Sequence, residues 1–211
     1  MSEQTIKTDV SKMESFDSGA KRENKSGKGR YDLIPGDVMH GIIDAIDSVF
    51  AYTPTASGIT ISADDVIKAA YFTDVYDPYA YCEFIAKVVA YFFTVGVPSG
   101  NTTVVPHKYV SRLDVVYAMV HMRNELAIHY ENGAEIHGVN NWKKGIPISD
   151  SEKGGCYVDS MRRHIDQAIS GADDEPHAIA AIWNAIGAVW TIKHTDITST
   201  QQDTLEEMDW S

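Results

Sequence analysis

The sequence predicts a mostly α protein, a single-domain helical bundle with long loops and room for one small β hairpin near 55–62. Apolar residues recur at three- and four-residue spacing in every long segment, which is typical of amphipathic helices. The sequence has no series of alternating strand patterns. Its 211 residues, 44% of them hydrophobic, are enough for one domain with a substantial core.

The domain is expected to span 28–195. Residues 1–27 are rich in polar residues and lack apolar spacing, so burial cannot offset the entropy of ordering them, and we expect a disordered tail. The acidic stretch 196–211 forms a second tail that is expected to fray.

Apolar periodicity predicts helices at 36–50, 63–73, 78–95, 107–132 and 157–170, and a further helix after the acidic turn at 173–175. Ser62 and Asp65 have the spacing of a capping box at the start of the second helix. Gly133 is expected to end the fourth helix in a left-handed conformation, and Gly171 the fifth. Asp173 or Asp174 is expected to cap the last helix.

The predicted helix at 78–95 is apolar on nearly every side. Such a helix is buried in a core or in a contact between subunits. A small domain cannot easily cover all of its faces, so the pattern favours a homo-oligomer.

The formal net charge of -12 argues against binding to a nucleic acid polymer, which needs a dense row of Lys and Arg. Cys82 and Cys156 form neither a Cys-x-x-Cys pair nor a zinc-ligand spacing, which favours free thiols in the reducing cytoplasm. No apolar run approaches the ~20 residues that span a bilayer, so no membrane partner is expected.

Candidate chemistry concentrates between 133 and 184. Arg163 and His164 lie on one predicted helix, and His177 follows the acidic turn that leads into the next. A helical hairpin with an acidic, His-flanked turn is a suitable place for a metal ion and a phosphate. Trp142, which follows Asn141, is interpreted either as a core aromatic or as a wall on which a base stacks.

Two other polar groups have a second interpretation as metal sites. His121, Glu125 and His129 recur every fourth residue, and two His with a Glu suit zinc, although a helix surface with Glu and His four residues apart needs no metal to explain the spacing. His40, Asp44 and Asp47 form a solvated stripe or, alternatively, a carboxylate site for a hard cation.

Three ordered motifs resemble a known family. They are GKGRYDLIP at 27–35, GAEIHGVNNWKKG at 133–145, and RRH followed by an acidic turn, a His and an Asn. In this order they resemble the phage domain called dATP/dGTP diphosphohydrolase N-terminal. The resemblance covers about 28–50 and 130–192, with 51–108 as an insertion. The residues that match are Arg30, Asp32, Leu33, Ile34, Pro35, Gly133, Ala134, Gly138, Asn141, Trp142, Arg163, His164, Gly171, Asp174 and His177.

The chain departs from the family pattern at two places. Ile136 and His137 stand where the family has Lys-Tyr, and Ala172 stands where the family has a Glu after Gly171. The second departure removes one carboxylate that could hold a metal. The sequence also lacks the Glu-x-x-Glu and Glu-x-x-Asp set of MazG-type enzymes and the His-Asp pair of another phosphohydrolase class.

The resemblance implies an all-α nucleotide pyrophosphohydrolase that uses Mg²⁺ or Mn²⁺ to split a purine deoxynucleoside triphosphate into monophosphate and pyrophosphate. Assigned on that basis, the metal ligands are Asp32, His164, Asp174 and His177, and the catalytic residues are Asp174, Glu175 and His177. The residues assigned to the substrate are Lys28, Arg30, Asn141, Trp142 and Arg163. A protein that sequesters a nucleotide without turnover and a structural, oligomer-forming module are the two rival interpretations.

Overall fold

The computed structural model describes residues 13–15, 21–23, 27–51, 58–72, 74–94, 108–144, 146–149 and 155–195. Within them the chain is mostly helical, which confirms the predicted fold class. The helices are α1 (Gly36–Ala51), α2 (Ala63–Ala70), α3 (Pro78–Val88, extended by a π-helical turn Val89–Phe93), α4 (Arg112–His137), α5 (Tyr157–Ser170) and α6 (His177–His194). The short strands are β1 (Met13–Ser15), β2 (Lys21–Glu23), β3 (Gly58–Ile61) and β4 (Lys108–Ser111).

The antiparallel pair of α5 and α6 forms the most extensive helix contact, and α3 packs against α1, α2 and α6. The backbone of α6 comes very close to α5 at Gly187. A Cβ atom placed there would lie 2.4 Å from Cε1 of Tyr157. A glycine is therefore required where the two helices pack together.

Two predicted helix signals are confirmed. Ser62 and Asp65 form a reciprocal capping box, with the Ser62 Oγ accepting from the Asp65 backbone N–H at 3.2 Å. Gly171 ends α5 with a left-handed φ of 83°.

Two other predicted signals are wrong. Helix α4 continues past Gly133 to His137 and ends at Gly138, whose φ is 88°. Ala134 packs against the core, and this burial outweighs the small helix penalty of the glycine before it. Neither Asp173 nor Asp174 caps α6, which begins after Pro176 without a side-chain cap.

The predicted β element near 55–62 is present as β3, but it does not form a hairpin. It pairs antiparallel with β4, about fifty positions further along the chain, with Ile59 opposite Val110. Residues 55–57 lie outside the described part. Within the predicted N-terminal tail, β1 and β2 pair with each other; the tail at 196–211 lies outside the described residues.

Most side chains of α3 and its π-helical turn are buried, including the whole of Tyr81, Phe84 and Ile85. One chain therefore covers the faces of this helix, and its apolar character no longer requires a second subunit. The homo-oligomer stays a prediction, which light scattering at micromolar concentration tests directly.

One prediction about the core is wrong on helix α4. Apolar spacing over 107–132 predicts a core stripe of Val110, Leu113, Val116, Tyr117, Val120, Leu126 and Tyr130. Leu113, Val116, Tyr117 and Val120 are exposed, whereas Leu126, Tyr130 and Val110, which belongs to β4, are buried. The first half of α4 is apolar on most sides, and it buries the neighbouring face, with Val115, Ala118, Met119 and Met122. Helical spacing alone did not distinguish these two faces.

Cys82 and Cys156 are both free and buried. Burial raises the pKa of the Cys82 thiol to about 11. Among the described helices, none combines the length and apolar character needed to cross a membrane.

Candidate metal centre

The hairpin of α5 and α6 brings three potential metal ligands together. His164 comes from α5, Glu175 from the intervening turn, and His177 is the first residue of α6. The Nδ1 atoms of the two histidines are 3.1 Å apart, and Oε1 of Glu175 lies 3.1 Å from Nδ1 of His164 and 3.3 Å from Nδ1 of His177. These side chains form the His164–Glu175–His177 cluster.

The geometry of this cluster suits a metal ion. Ligand atoms at about 2.0–2.2 Å from one ion are themselves roughly 3 Å apart, and the three measured separations have this size. Two imidazole nitrogens and one carboxylate oxygen fit a first-row transition metal better than Mg²⁺, which prefers oxygen ligands. Among the residues that the structure describes, this is the one such group of three.

Hydrogen bonds fix the protons of both rings. A guanidinium can only donate hydrogen bonds, so Nη2 of Arg163 donates to Nε2 of His164, 3.1 Å away. The proton of the His164 ring is therefore on Nδ1. On His177, Nε2–H donates to the Asp174 carboxylate at 2.9 Å, which leaves Nδ1 as an acceptor. His177 therefore already presents a lone pair toward Glu175 and His164, with Asp174 orienting the ring.

The electrostatic environment keeps His164 neutral. Burial lowers the pKa of His164 to about 4, and the charge of Arg163 adds to this effect, while Glu175 acts in the opposite direction. Only 6% of His164 is exposed. A neutral imidazole is the form that binds a metal.

This depressed pKa predicts that the metal-free protein loses stability in acid. In the unfolded chain His164 binds a proton below about pH 6.5, whereas in the folded protein it does so only near its pKa of about 4. The stability contribution is thus complete above about pH 6.5 and is lost as the pH falls toward 4, a change of roughly 3 kcal/mol. Urea unfolding in chelator between pH 4 and 7 measures it. His164→Asn should flatten this part of the profile, and an unchanged slope would contradict the assignment.

A cavity of about 680 Å³ adjoins the cluster, and His164 and Glu175 are part of its wall. The C-terminal half of α4 and the short 3-10 helix Asn141–Lys144 supply another part of the wall, and α6 supplies Trp183 and Asn184. Both Asn141 and Trp142 line this cavity. The structure thus places the second sequence motif beside the third.

Trp142 is a core residue as well as part of the cavity wall, being 6% exposed. Its ring packs edge-on against Trp190 with centroids 5.2 Å apart, and it also contacts Tyr130 at 5.8 Å. The Lys143 ammonium lies 5.1 Å from the ring centroid. These neighbours cover the indole, which favours the core-aromatic interpretation over a wall on which a base stacks.

The first motif is anchored on α4. The backbone N–H groups of Gly27 and Gly29 donate to the buried carboxylate of Glu131 at 2.9 and 2.8 Å. Asp32 is paired with Arg30 at 2.7 Å and is not one of the clustered metal ligands. From this loop it is Leu33 that reaches the cavity.

The remaining predicted substrate residues lie at the periphery. Arg163 contacts His164 but is exposed, and it lines a second, open depression together with Tyr71 and Arg162. Lys28 is exposed on the anchored loop. Neither is among the residues that line the cavity.

The two alternative metal groups are not assembled. His121 pairs with Glu125 at 3.0 Å on an exposed face, whereas His129 contacts Trp183 and lines the cavity. The drift of a helix over eight residues separates the first and third of them. Asp47 is paired with Arg112 on the surface.

Sequence reasoning missed several residues of the cavity wall. Tyr130 fits the apolar stripe predicted over 107–132, and Asn140, although it lies within the second motif, carries no periodic signal. Asn140 does carry one local sign of a special position, a left-handed φ of 58°, which Asn tolerates better than most residues. The spacing of His129 suggested only a metal group shared with His121 and Glu125.

Comparison with protein families gives a match to the family described as dATP/dGTP diphosphohydrolase, N-terminal, over residues 107–201. It is the family that the motifs indicate, and the resemblance is confirmed over this part of the chain. The matched range includes the second and third motifs, the His164–Glu175–His177 cluster and most of the cavity wall; the first motif lies outside it. Neither the curated proteins nor the solved structures provide a match.

Proposed function

We propose that this protein is a metal-dependent phosphohydrolase of phage origin that converts a purine deoxynucleoside triphosphate into its monophosphate and pyrophosphate. The observation that carries the proposal is the His164–Glu175–His177 cluster in a cavity of about 680 Å³. Ligand pockets of roughly 300–1,000 Å³ accommodate molecules of nucleotide size. The name of the matched family supplies the substrate class.

His164, Glu175 and His177 would hold the metal, which when bound lowers the pKa of a water molecule so that it can attack phosphorus. Their nitrogen-rich donor set favours Mn²⁺ over Mg²⁺, the two ions implied by the resemblance. Asp174 takes a supporting role in this proposal, because its carboxylate accepts the Nε2–H of His177 and orients the ring. Asp32 is left out of the metal site, since it pairs with Arg30.

Arg163 is the cation best placed to meet the phosphates. When His164 binds a metal through Nδ1, its proton must be on Nε2, and Nε2 can then no longer accept from Arg163. The guanidinium loses this partner and becomes available to the oxygens of a polyphosphate, for which its donor geometry is well suited. A local cation is needed because the net charge of -12 repels an anion at long range.

Incubation with the four deoxynucleoside triphosphates, in Mg²⁺, in Mn²⁺ and in chelator, tests the proposal when the products are separated by chromatography. We expect dATP and dGTP to yield monophosphate and pyrophosphate, faster in Mn²⁺ than in Mg²⁺ and not at all in chelator. Ligand-induced thermal stabilisation without product would instead support the sequestering protein. If neither product nor stabilisation is observed, the structural, oligomer-forming module is the interpretation that remains.

A further inference from the structure

His129 is a half-buried histidine of α4 that has no part in the proposed metal site. Its ring packs against Trp183 of α6, with the ring centroids 5.9 Å apart. It also lines the cavity of about 680 Å³ together with His164 and Glu175. The fold thus places a third imidazole beside the cluster, and this one comes from a helix outside the α5–α6 hairpin.

The ring nitrogens of His129 are available to a molecule in the cavity. Within the described part of the chain, neither of them has a hydrogen-bond partner. The unpaired polar atoms that are completely enclosed among the described residues belong to Tyr130, Asn140 and Trp142, so the nitrogens of His129 keep some accessible surface. A neutral imidazole offers one acceptor nitrogen and one N–H donor.

His129 is close to the cluster without belonging to it. The ligand atoms that lie within 4.8 Å of one another are those of His164, Glu175 and His177, and His129 is not among them. The negative charge of Glu175 nevertheless acts on the His129 ring. A side chain in this position contacts what occupies the cavity in front of the cluster, which in a phosphohydrolase is the attacking water and the reacting phosphate.

The surroundings keep His129 in the form that accepts a proton. Burial lowers the pKa of His129, and the charge of Glu175 acts in the opposite direction without cancelling this effect. The ring is therefore neutral at neutral pH and carries a free lone pair. The charged form, which a proton donor to the leaving group would need, is the one that burial disfavours.

We propose that His129 is the general base that takes a proton from the attacking water. This inference rests on the proposed function, which supplies the reaction. One O–H bond of the water breaks and its proton passes to the free imidazole nitrogen, while the water oxygen forms a bond to phosphorus. The bond from phosphorus to the bridging oxygen breaks, and its electron pair leaves with pyrophosphate. The imidazolium then releases the proton to solvent.

His129→Gln tests the role, because glutamine keeps a polar side chain of similar length but cannot accept a proton at neutral pH. We expect kcat to fall by at least about 100-fold, the lower end of what a general base contributes. The affinity for Mn²⁺, measured by calorimetric titration, should stay at the wild-type value. Thermal unfolding followed by circular dichroism shows whether the fold is kept.

His129→Ala adds a test that a merely structural role does not pass. Alanine leaves space for a small molecule at the cavity wall, so free imidazole should enter and accept the proton. We expect added imidazole to raise the kcat of His129→Ala by at least about tenfold, a part of the contribution of a general base. The same addition should leave the wild-type rate unchanged.

His121→Gln is the matched control. It makes the same substitution on the same helix, but His121 is exposed, pairs with Glu125 at 3.0 Å and does not line the cavity. Its kcat should equal that of the wild type.

A wild-type kcat in His129→Gln would overturn the inference, and so would a His129→Ala variant that imidazole does not accelerate. A loss of Mn²⁺ affinity in His129→Gln would make His129 a metal ligand and overturn it as well. Failure of the proposed function has a different signature, since the wild-type protein itself would then yield no pyrophosphate, and the role of His129 as a base would be excluded with it.

Discussion

Glu175→Gln will reduce affinity for Mn²⁺ by roughly 100-fold, the upper part of the range seen when even supporting groups of a metal site are lost, and metal-dependent hydrolysis will fall with it. The substitution keeps the shape of the side chain but removes the charge whose oxygen lies within 3.3 Å of both histidine Nδ1 atoms. The fold should persist, because the Glu175 side chain is 41% exposed. Calorimetric titration with Mn²⁺ measures the affinity independently of activity.

Asp173→Asn is the matched control for this experiment. It removes one negative charge from the same turn, but Asp173 is not part of the cluster. We expect Mn²⁺ affinity close to that of the wild type. If Asp173→Asn and Glu175→Gln weakened Mn²⁺ binding equally, the turn would be acting through its overall charge, and the cluster would not be the metal site.

Gly187→Ala will destabilise the protein by about 3 kcal/mol, at the upper end of ordinary overpacking. The new Cβ would lie 2.4, 2.6 and 2.9 Å from Cε1, Cζ and the hydroxyl oxygen of Tyr157, so α5 and α6 must move apart. For a chain of this length the melting temperature should fall by roughly 10 °C. Thermal unfolding followed by circular dichroism gives the value.

Gly133→Ala provides the comparison for this second variant. Gly133 lies inside α4, and apart from its chain neighbours and the adjacent helix backbone no atom of the described residues is within 4 Å of the Cβ position. Alanine should therefore stabilise the helix by roughly 0.5–1 kcal/mol. A wild-type melting temperature for Gly187→Ala would show that the helices are less closely packed than the structure places them.

The proximity of His164, Glu175 and His177 was largely predictable from the sequence because the cluster is local. Two predicted helices joined by a short acidic turn must place His164 and His177 near each other, whatever the rest of the chain does. Glu175 and Asp174 were both assigned to this site, but periodicity could not tell which carboxylate reaches both rings. That choice depends on where α6 begins. The acidic residues predicted a start directly after Asp173 or Asp174, whereas α6 begins after Pro176.

The rest of the site depends on long-range packing, and there the sequence was a weaker guide. The motif at 27–35 suggested Asp32 as a metal ligand. Its loop is instead anchored by Glu131, a hundred positions further along, whose carboxylate accepts from the backbone N–H groups of the loop. On α4, two adjacent apolar faces gave the same helical signal, so the buried face could not be chosen. Tyr130 belongs to the predicted core, and its spacing gave no sign that it also lines the cavity.

The division of the cavity wall between two stretches of chain affects how the protein can diversify. His164, Glu175 and His177 lie within one helical hairpin, whereas Tyr130, Asn140 and Trp142 precede it on α4, the turn after it and the 3-10 helix. On the proposed function, substitutions in the earlier stretch would change which ligand fits without altering the spacing of the three clustered side chains. Related chains would then differ in substrate preference while keeping the same proposed metal site.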